Sequence, residues 1–233
     1  MIVNIDLDKV RKELENRKEW EEKHIEQGRA QNGVTSEHEI IARCYELLGE
    51  HDLANKYFLE LSNKWWNARK DGPPPHLRMR DIIFEYNHYG KLYLKVGKKK
   101  KAKACFKTVL NFWKENLPYE KGEMGLYKGN LDLAIAYFWQ KDYAKSLTHS
   151  ERAEENIPNT IAKKLLLLCK GYLDKDISKI EDALWGLNNI CKKERIPVYA
   201  SFVDVWDFYF AGENMLKDMQ CVPSRRIGEA KDY

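Results

Sequence analysis

The segment YGKLYLKVGKKKKAKACF, residues 89–106, decides the fold because its pattern occurs three times in the chain. The other copies are IARCYELLGEHDLANKYF, residues 41–58, and LAIAYFWQKDYAKSLTHS, residues 133–150. Each copy has a small residue, a tyrosine three positions later, a turn residue four positions after that, and a second small residue five further on. Small residues allow two antiparallel helices to approach closely, and a turn residue with positive φ ends the first of them. Each copy therefore predicts a helical hairpin. The repeated positions are Ala42, Tyr45, Gly49 and Ala54; Gly90, Tyr93, Gly97 and Ala102; and Ala134, Tyr137, Lys141 and Ser146.

The rest of the chain also predicts helices. Apolar residues recur at helical spacing almost throughout, and alternating runs rich in Val, Ile and Thr are missing. The strongest break is DGPPPH, residues 71–76, because three prolines cannot continue a helix. We therefore predict an all-α protein. Its breaks give about ten helices, over residues 6–29, 36–48, 51–69, 77–96, 99–116, 120–140, 142–156, 159–173, 177–193 and 198–219.

At the repeated residues the chain resembles the tetratricopeptide repeat (TPR) family. In the third copy, Tyr143, Ala153 and Pro158 also fall where the pattern of that family has an aromatic residue, a small residue and a proline. The three turns are 48 and 44 residues apart, whereas a standard repeat has about 34 residues. The resemblance is therefore to repeats of atypical length. It implies antiparallel hairpins stacked as an α-α superhelix.

The domain organisation follows from this resemblance and from the composition of the chain ends. We expect a charged N-terminal helix in residues 1–34 and TPR-like repeats in residues 35–196, with a degenerate fourth unit around LLLLCKGYLDKDISKIEDALWGL. The apolar segment 197–221 predicts a closing helix. The tail 222–233 has little to bury, so we expect it to be frayed.

Charge and cysteine content favour a cytoplasmic protein with no membrane partner. The 40 basic and 36 acidic residues nearly balance, so net charge gives no general reason to expect a nucleic-acid or membrane partner. The five cysteines include no CxxC pair, which fits neither a disulfide framework nor a zinc module. The N-terminal segment becomes charged too early for a signal peptide, and the longest apolar run is LLLLC, residues 165–169.

The resemblance also implies a binding groove, because the first helix of each hairpin in that family lines a concave surface that holds a peptide or a partner helix. Such a groove would be basic and partly aromatic here, which suits an acidic or C-terminal carboxylate peptide. The carboxylate clamp of chaperone-binding family members is not matched, since Glu39 and Arg43 stand where that clamp has Lys and Asn. The alternative is that these are ordinary exposed helix residues. By position, the lining residues are Arg43, Asn87, Lys91, Lys95, Lys128, Phe138 and Trp139.

A basic stripe raises a second hypothesis. Residues 91–114 include nine lysines and no acid. At 100° per residue, Lys99, Lys103, Lys107 and Lys114 lie within a sector of about 80°. The stripe is a solvated face, a surface for an acidic protein, or a contact for nucleic-acid phosphates. The nearby Phe106, Phe112 and Trp113 fall on the adjoining apolar face, so the pattern shows no platform for stacking bases.

Catalytic signatures are missing from the sequence. The six histidines are dispersed without HExxH or paired metal spacing, and GxxxxGK[ST], GxGxxG and GxSxG do not occur. We therefore predict a non-enzymatic protein without metal or cofactor. The favoured function is a protein-protein interaction module, such as a regulator or a toxin-neutralising immunity protein. The alternative is a helical-repeat protein that binds nucleic acid through residues 98–107.

Overall fold

The computed structural model describes residues 6–26, 34–69, 71–72, 78–158, 161–193 and 205–221. Within these ranges the chain forms ten α-helices, one short 3-10 helix and no strand, as the sequence predicts. The predicted proline connector lies mostly outside the described residues. The predicted boundary at residues 196 and 197 and the predicted frayed tail 222–233 also lie outside them.

The helices agree with the predicted ranges to within a few residues wherever the structure describes both ends. The 3-10 helix Leu117–Tyr119 lies between α5 and α6. The α-helices are α1 (Leu7–Glu26), α2 (Val34–Leu47), α3 (His51–Arg69), α4 (Met79–Lys95), α5 (Lys99–Asn116), α6 (Glu123–Trp139), α7 (Tyr143–Asn156), α8 (Ile161–Asp174), α9 (Ile177–Lys193) and α10 (Val205–Cys221).

The turns that join α2 to α3, α4 to α5 and α6 to α7 share one backbone motif. Gly49, Gly97 and Lys141 have φ angles of 80°, 72° and 63°. In the second turn, the N–H of Lys98 donates to the carbonyl of Tyr93 and the N–H of Gly97 donates to that of Leu94. The other two turns repeat both bonds. This is the Schellman arrangement, in which a left-handed residue ends the helix and its last carbonyls remain satisfied. The repeated turn position in the sequence thus corresponds to a left-handed residue in all three hairpins.

The repeated small residues mark close approaches within the hairpins. Ala42 and Ala134 are fully buried, and Gly90 is buried against Phe106. A Cβ on Gly90 would lie 2.7 Å from the ring of Phe106, which is far inside van der Waals contact. Larger side chains here would separate the two helices of the hairpin.

The hairpins stack in chain order, as in a TPR-like α-α superhelix. The two helices of each hairpin pack together, α2 with α3, α4 with α5, α6 with α7 and α8 with α9, and each hairpin also contacts the next, most extensively through α7 and α8. A turn at Lys175, with a φ of 57°, joins α8 to α9 and completes a fourth hairpin. Helix α1 packs on α2, and α10 packs on α9 and α8. Among the described residues, no helix combines the length and apolar character needed to cross a bilayer.

Candidate functional site on the inner face of the repeats

The first helices of the hairpins, α2, α4 and α6, form the inner face of the stack. On α4, steps of three or four residues place five side chains along one stripe. On α6, the same spacing aligns a second stripe beside it. The two stripes are Arg80, Phe84, Asn87, Lys91 and Lys95 on α4, and Met124, Lys128, Leu131, Ile135 and Phe138 on α6.

One half of this inner face is covered by α10, and we call it the closed half. Its centre is Asp207, in the first turn of α10, which accepts hydrogen bonds from both Nη atoms of Arg43 at 2.8 and 2.9 Å. The Nζ atoms of Lys91 and Lys95 each lie 2.6 Å from a carboxylate oxygen of Asp207. Arg43, Lys91 and Asp207 are all at most 5% exposed. One carboxylate from α10 therefore joins cations of α2 and α4.

Two glutamates of α2 complete this ionic cluster. Glu46 accepts from Lys95 at 2.7 Å and from Arg43 at 3.0 Å, while Glu39 lies 3.1 Å from Nε2 of His88. Among the described residues, the cluster thus contains three carboxylates and three Arg or Lys cations. Buried charges are tolerated when they are paired and hydrogen-bonded in this way.

The pKa values of two of these carboxyl groups follow from the same contacts. Burial alone would raise the pKa of Asp207, but Arg43, Lys91 and Lys95 outweigh it and hold that pKa well below its usual range. Burial also acts to raise the pKa of Glu39, and the charges of His88 and Arg43 lower it to about 2. Asp207 and Glu39 are therefore ionised at neutral pH.

An aromatic contact lies beside the ionic cluster. Phe208, next to Asp207, stacks on Trp139 with ring centroids 5.4 Å apart and meets Phe138 edge-on at 5.3 Å. Phe208 is 3% exposed. Such aromatic pairs add specific geometry to the burial of their area. The closed half therefore holds a carboxylate and a phenyl ring from consecutive residues of the same chain.

The other half of the inner face is a cleft of about 580 Å³, which we call the open cleft. It lies between the N-terminal parts of α4 and α6, with Trp113 of α5 at its inner wall. Its floor and walls include Ile83, Phe84, Met124 and Leu131, and its rim carries Arg80, Lys121 and Lys128. Met124 is 56% exposed.

Two of the three rim cations form no ion pair within the described residues. Arg80 pairs with Glu120 at 2.7 Å. Neither Lys121 nor Lys128 has an ion pair with any carboxylate in the described part of the chain, and both are exposed. An apolar floor bordered by exposed lysines suits a ligand in which an apolar group is attached to an acid.

Asp132 lies at the inner end of the open cleft. Its Oδ2 accepts a hydrogen bond from Nε1 of Trp113 at 2.9 Å, and its backbone carbonyl accepts from Nδ2 of Asn87 at 2.9 Å. Burial raises the pKa of Asp132 to about 7, against the opposing effect of these donors and of Lys128. Both protonation states of this carboxyl group are therefore populated near neutral pH.

The predicted lining residues divide between the two halves. Five of them contact α10 through Asp207 or Phe208: Arg43, Lys91, Lys95, Phe138 and Trp139. Asn87 is buried and bonded to Asp132, and Lys128 lies at the rim of the open cleft.

Several residues of the inner face were not among the predicted site residues. For Asp207 a signal was present, because one acid inside the apolar run VWDFYF predicts a buried cationic partner. Arg80 and Phe84 also had a signal, since they continue the predicted α4 stripe toward the N-terminus of the helix. Lys121 and Asp132 had none.

The basic stripe lies away from this face, on α5, the second helix of its hairpin. Lys99, Lys103, Lys107 and Lys114 are exposed, and none of them has an ion pair within the described residues. Phe106 and Trp113 are buried in the core, and Phe112 packs against it. The exposed stripe therefore offers charge without an aromatic surface.

The described residues contain neither a cluster that could bind a metal ion nor an activated thiol. No group of three or more His, Cys, Asp or Glu there could hold a metal ion. Cys44, Cys105 and Cys169 are free and buried, and burial raises the pKa of each thiol to about 12. Cys105 is thus a core residue and is not activated by the neighbouring lysines.

Comparison with protein-family models, with curated proteins and with solved structures found no match. The proposed function therefore depends on the geometry of the inner face.

Proposed function

We propose that the protein is a TPR-like, non-enzymatic interaction module that binds an acidic segment of a partner protein in the open cleft. The observation that carries this proposal is the combination of an apolar cleft that exposes Met124 with Lys121 and Lys128, two exposed lysines that form no ion pair within the described residues. A partner carboxylate would supply a counterion while an adjacent apolar side chain covers Met124 and Phe84.

The closed half supports the same chemistry. There, the inner face holds Asp207 and Phe208, an acid followed directly by an aromatic residue. The open cleft belongs to the same stripes of α4 and α6 and has the same combination of cationic and apolar residues. We therefore expect the partner segment to combine Asp or Glu with Phe, Leu or Trp.

Binding is favoured over catalysis at Asp132. A buried carboxyl group with a raised pKa is also found in acid-base catalysis. In the described residues, however, the side chain of Asp132 shares no hydrogen bond with a histidine, a cysteine or a second carboxylate. In this proposal Asp132 forms the inner wall of the cleft.

A regulator or an immunity protein that occludes its partner would act in this way. We place this function in the cytoplasm, and the free, buried thiols of Cys44, Cys105 and Cys169 support a reducing compartment.

The test is fluorescence polarisation with a labelled peptide EDFLDE and its neutral counterpart QNFLNQ. We expect saturable binding of the acidic peptide alone, weakened about tenfold or more by the double change Lys121→Glu and Lys128→Glu. The matched control is Lys99→Glu with Lys103→Glu, which reverses the same charge on α5 and should leave affinity unchanged. Equal loss in both variants would contradict a site in the open cleft.

The same variants test the rival function. Sub-micromolar binding of an RNA or DNA oligonucleotide that is lost in the Lys99 and Lys103 variant, with a steep decrease as salt rises, would favour nucleic-acid binding over this proposal.

A further inference from the structure

A second groove, between α9 and α10, has the opposite charge. It has a volume of about 740 Å³ and opens on the side of α10 that carries Tyr209, Glu213 and Lys217. This groove shares no residue with the open cleft or with the ionic cluster at Asp207. It is therefore a separate surface that the proposed function does not use.

The charged side chains of this groove are mainly acidic. Glu181 and Asp182 of α9 and Glu213 of α10 line it together with one lysine, Lys217. In the part of the chain that the structure describes, none of these three carboxylates forms an ion pair. The groove is thus locally acidic in a chain whose formal net charge is +4.

An exposed aromatic ring stands among these carboxylates. Trp185 is 62% exposed, which is unusual for a side chain of that size, and it lies one turn from Glu181 and Asp182 on α9. Leu184 and Leu216 form apolar walls beside it. The face of an indole ring attracts a cation, and flanking carboxylates strengthen that attraction.

A buried amide in the same groove lacks a hydrogen bond. Asn188 lines the groove and is 3% exposed, and its Oδ1 has no hydrogen-bond partner. Buried acceptors without partners are rare in folded proteins. The unpaired Oδ1 of Asn188 can accept a hydrogen bond from a donor that enters the groove. A ligand with several N–H donors would satisfy it.

We propose that the groove between α9 and α10 binds an arginine side chain displayed by a partner protein. The guanidinium group is planar and stacks on an indole ring, and its five N–H donors reach carboxylates and an amide oxygen at the same time. The ammonium group of lysine carries the same charge but has no planar surface to stack on the ring. The partner surface is therefore basic, in contrast with the acidic segment expected at the open cleft.

The test uses the side-chain N–H signal of Trp185 in a ¹⁵N-labelled full-length chain, assigned with Trp185→Phe. The probes are an acetylated and amidated peptide GARAG and the same peptide with citrulline, the neutral isostere of arginine. We expect the signal to shift saturably with the arginine peptide and to stay unchanged with citrulline. An equal response to both peptides would overturn the proposal.

Variants that neutralise the carboxylates of the groove test whether the arginine peptide binds there. Asp182→Asn with Glu213→Gln should weaken binding of the arginine peptide about tenfold or more. The control pair Glu151→Gln with Glu155→Gln, at exposed positions of α7, should leave it unchanged. Equal affinity in all three proteins would overturn the proposal. The proposal would also be overturned if the arginine peptide bound only after deletion of residues 222–233. Self-association of the protein through this groove, measured by sedimentation, would overturn it too. Those last results would assign the groove to the chain's own tail or to a second copy.

Discussion

The closed half and the open cleft use the same helices and the same kinds of side chain, but α10 covers only the first. In the closed half, Lys91 and Lys95 lie against Asp207, a carboxylate from 112 or more residues further along the chain. In the open cleft, Lys121 and Lys128 form no ion pair within the described residues. The position of a lysine on an inner helix therefore does not decide whether it serves stability or binding. The decisive factor is whether the chain itself supplies the opposing charge.

The largest expected effect is the loss of Asp207. Replacement by Asn leaves Arg43, Lys91 and Lys95 buried with too little negative charge, so we expect a loss of about 3–5 kcal/mol in the free energy of unfolding. Urea denaturation at pH 7 measures it. The matched control is Asp52→Asn, an exposed aspartate in the first turn of α3, where only a helix-dipole contribution of about 0.3–1 kcal/mol is lost. Equal losses would show that the ionic cluster does not stabilise the fold.

The pH dependence of this effect has a defined sign. Because the pKa of Asp207 is lowered in the folded state, its contribution is present above the unfolded value of about 3.9 and decreases as pH falls below it. The difference between wild type and Asp207→Asn should therefore shrink in acid.

Asp132 should behave in the opposite way. Its pKa is raised to about 7 in the folded protein, so the folded state binds a proton that the unfolded chain has lost. Its ionisation therefore lowers stability as pH rises from about 4 to 7. We expect Asp132→Asn, which still accepts from Trp113, to stabilise the protein by about 2 kcal/mol at pH 8, allowing for solvent in the cleft.

The same change should have almost no effect at pH 4, where Asp132 is protonated in the folded state. Urea midpoints of wild type and variant at the two pH values give the comparison. A variant that is equally stabilised at both values would contradict the raised pKa.

The smallest expected effect on stability comes from the rim of the open cleft. Lys128→Glu removes no ion pair in the described structure, so we expect a change below about 0.5 kcal/mol at pH 5, where Asp132 is protonated and carries no charge for Lys128 to act on. Lys95→Glu, the same substitution in the closed half, places a third carboxylate beside Asp207 and Glu46 and should cost several times more. Thermal melting of the two variants measures the difference. Similar melting temperatures would remove the distinction between the halves.

The sequence predicts the helices and turns well because their causes are local. Tyr93, Gly97 and Gly90 set a turn and a close helix contact within one hairpin, and the same pattern recurs in the other copies. The occupant of the inner face was not predicted, because it depends on a contact between Arg43 and Asp207, 164 residues apart. Helical periodicity indicates which residues share a face of a helix. It does not indicate which distant helix covers that face.

Lysine acetylation followed by mass spectrometry can distinguish the closed half, which α10 occupies, from the accessible open cleft. We predict that Lys91 stays unmodified in the native protein, while Lys121 and Lys128 react as fast as Lys99. Saturating EDFLDE peptide should then protect Lys121 and Lys128 and leave Lys99 reactive. Native modification of Lys91 at the rate of Lys128, or peptide protection of Lys99 in place of Lys128, would contradict the account.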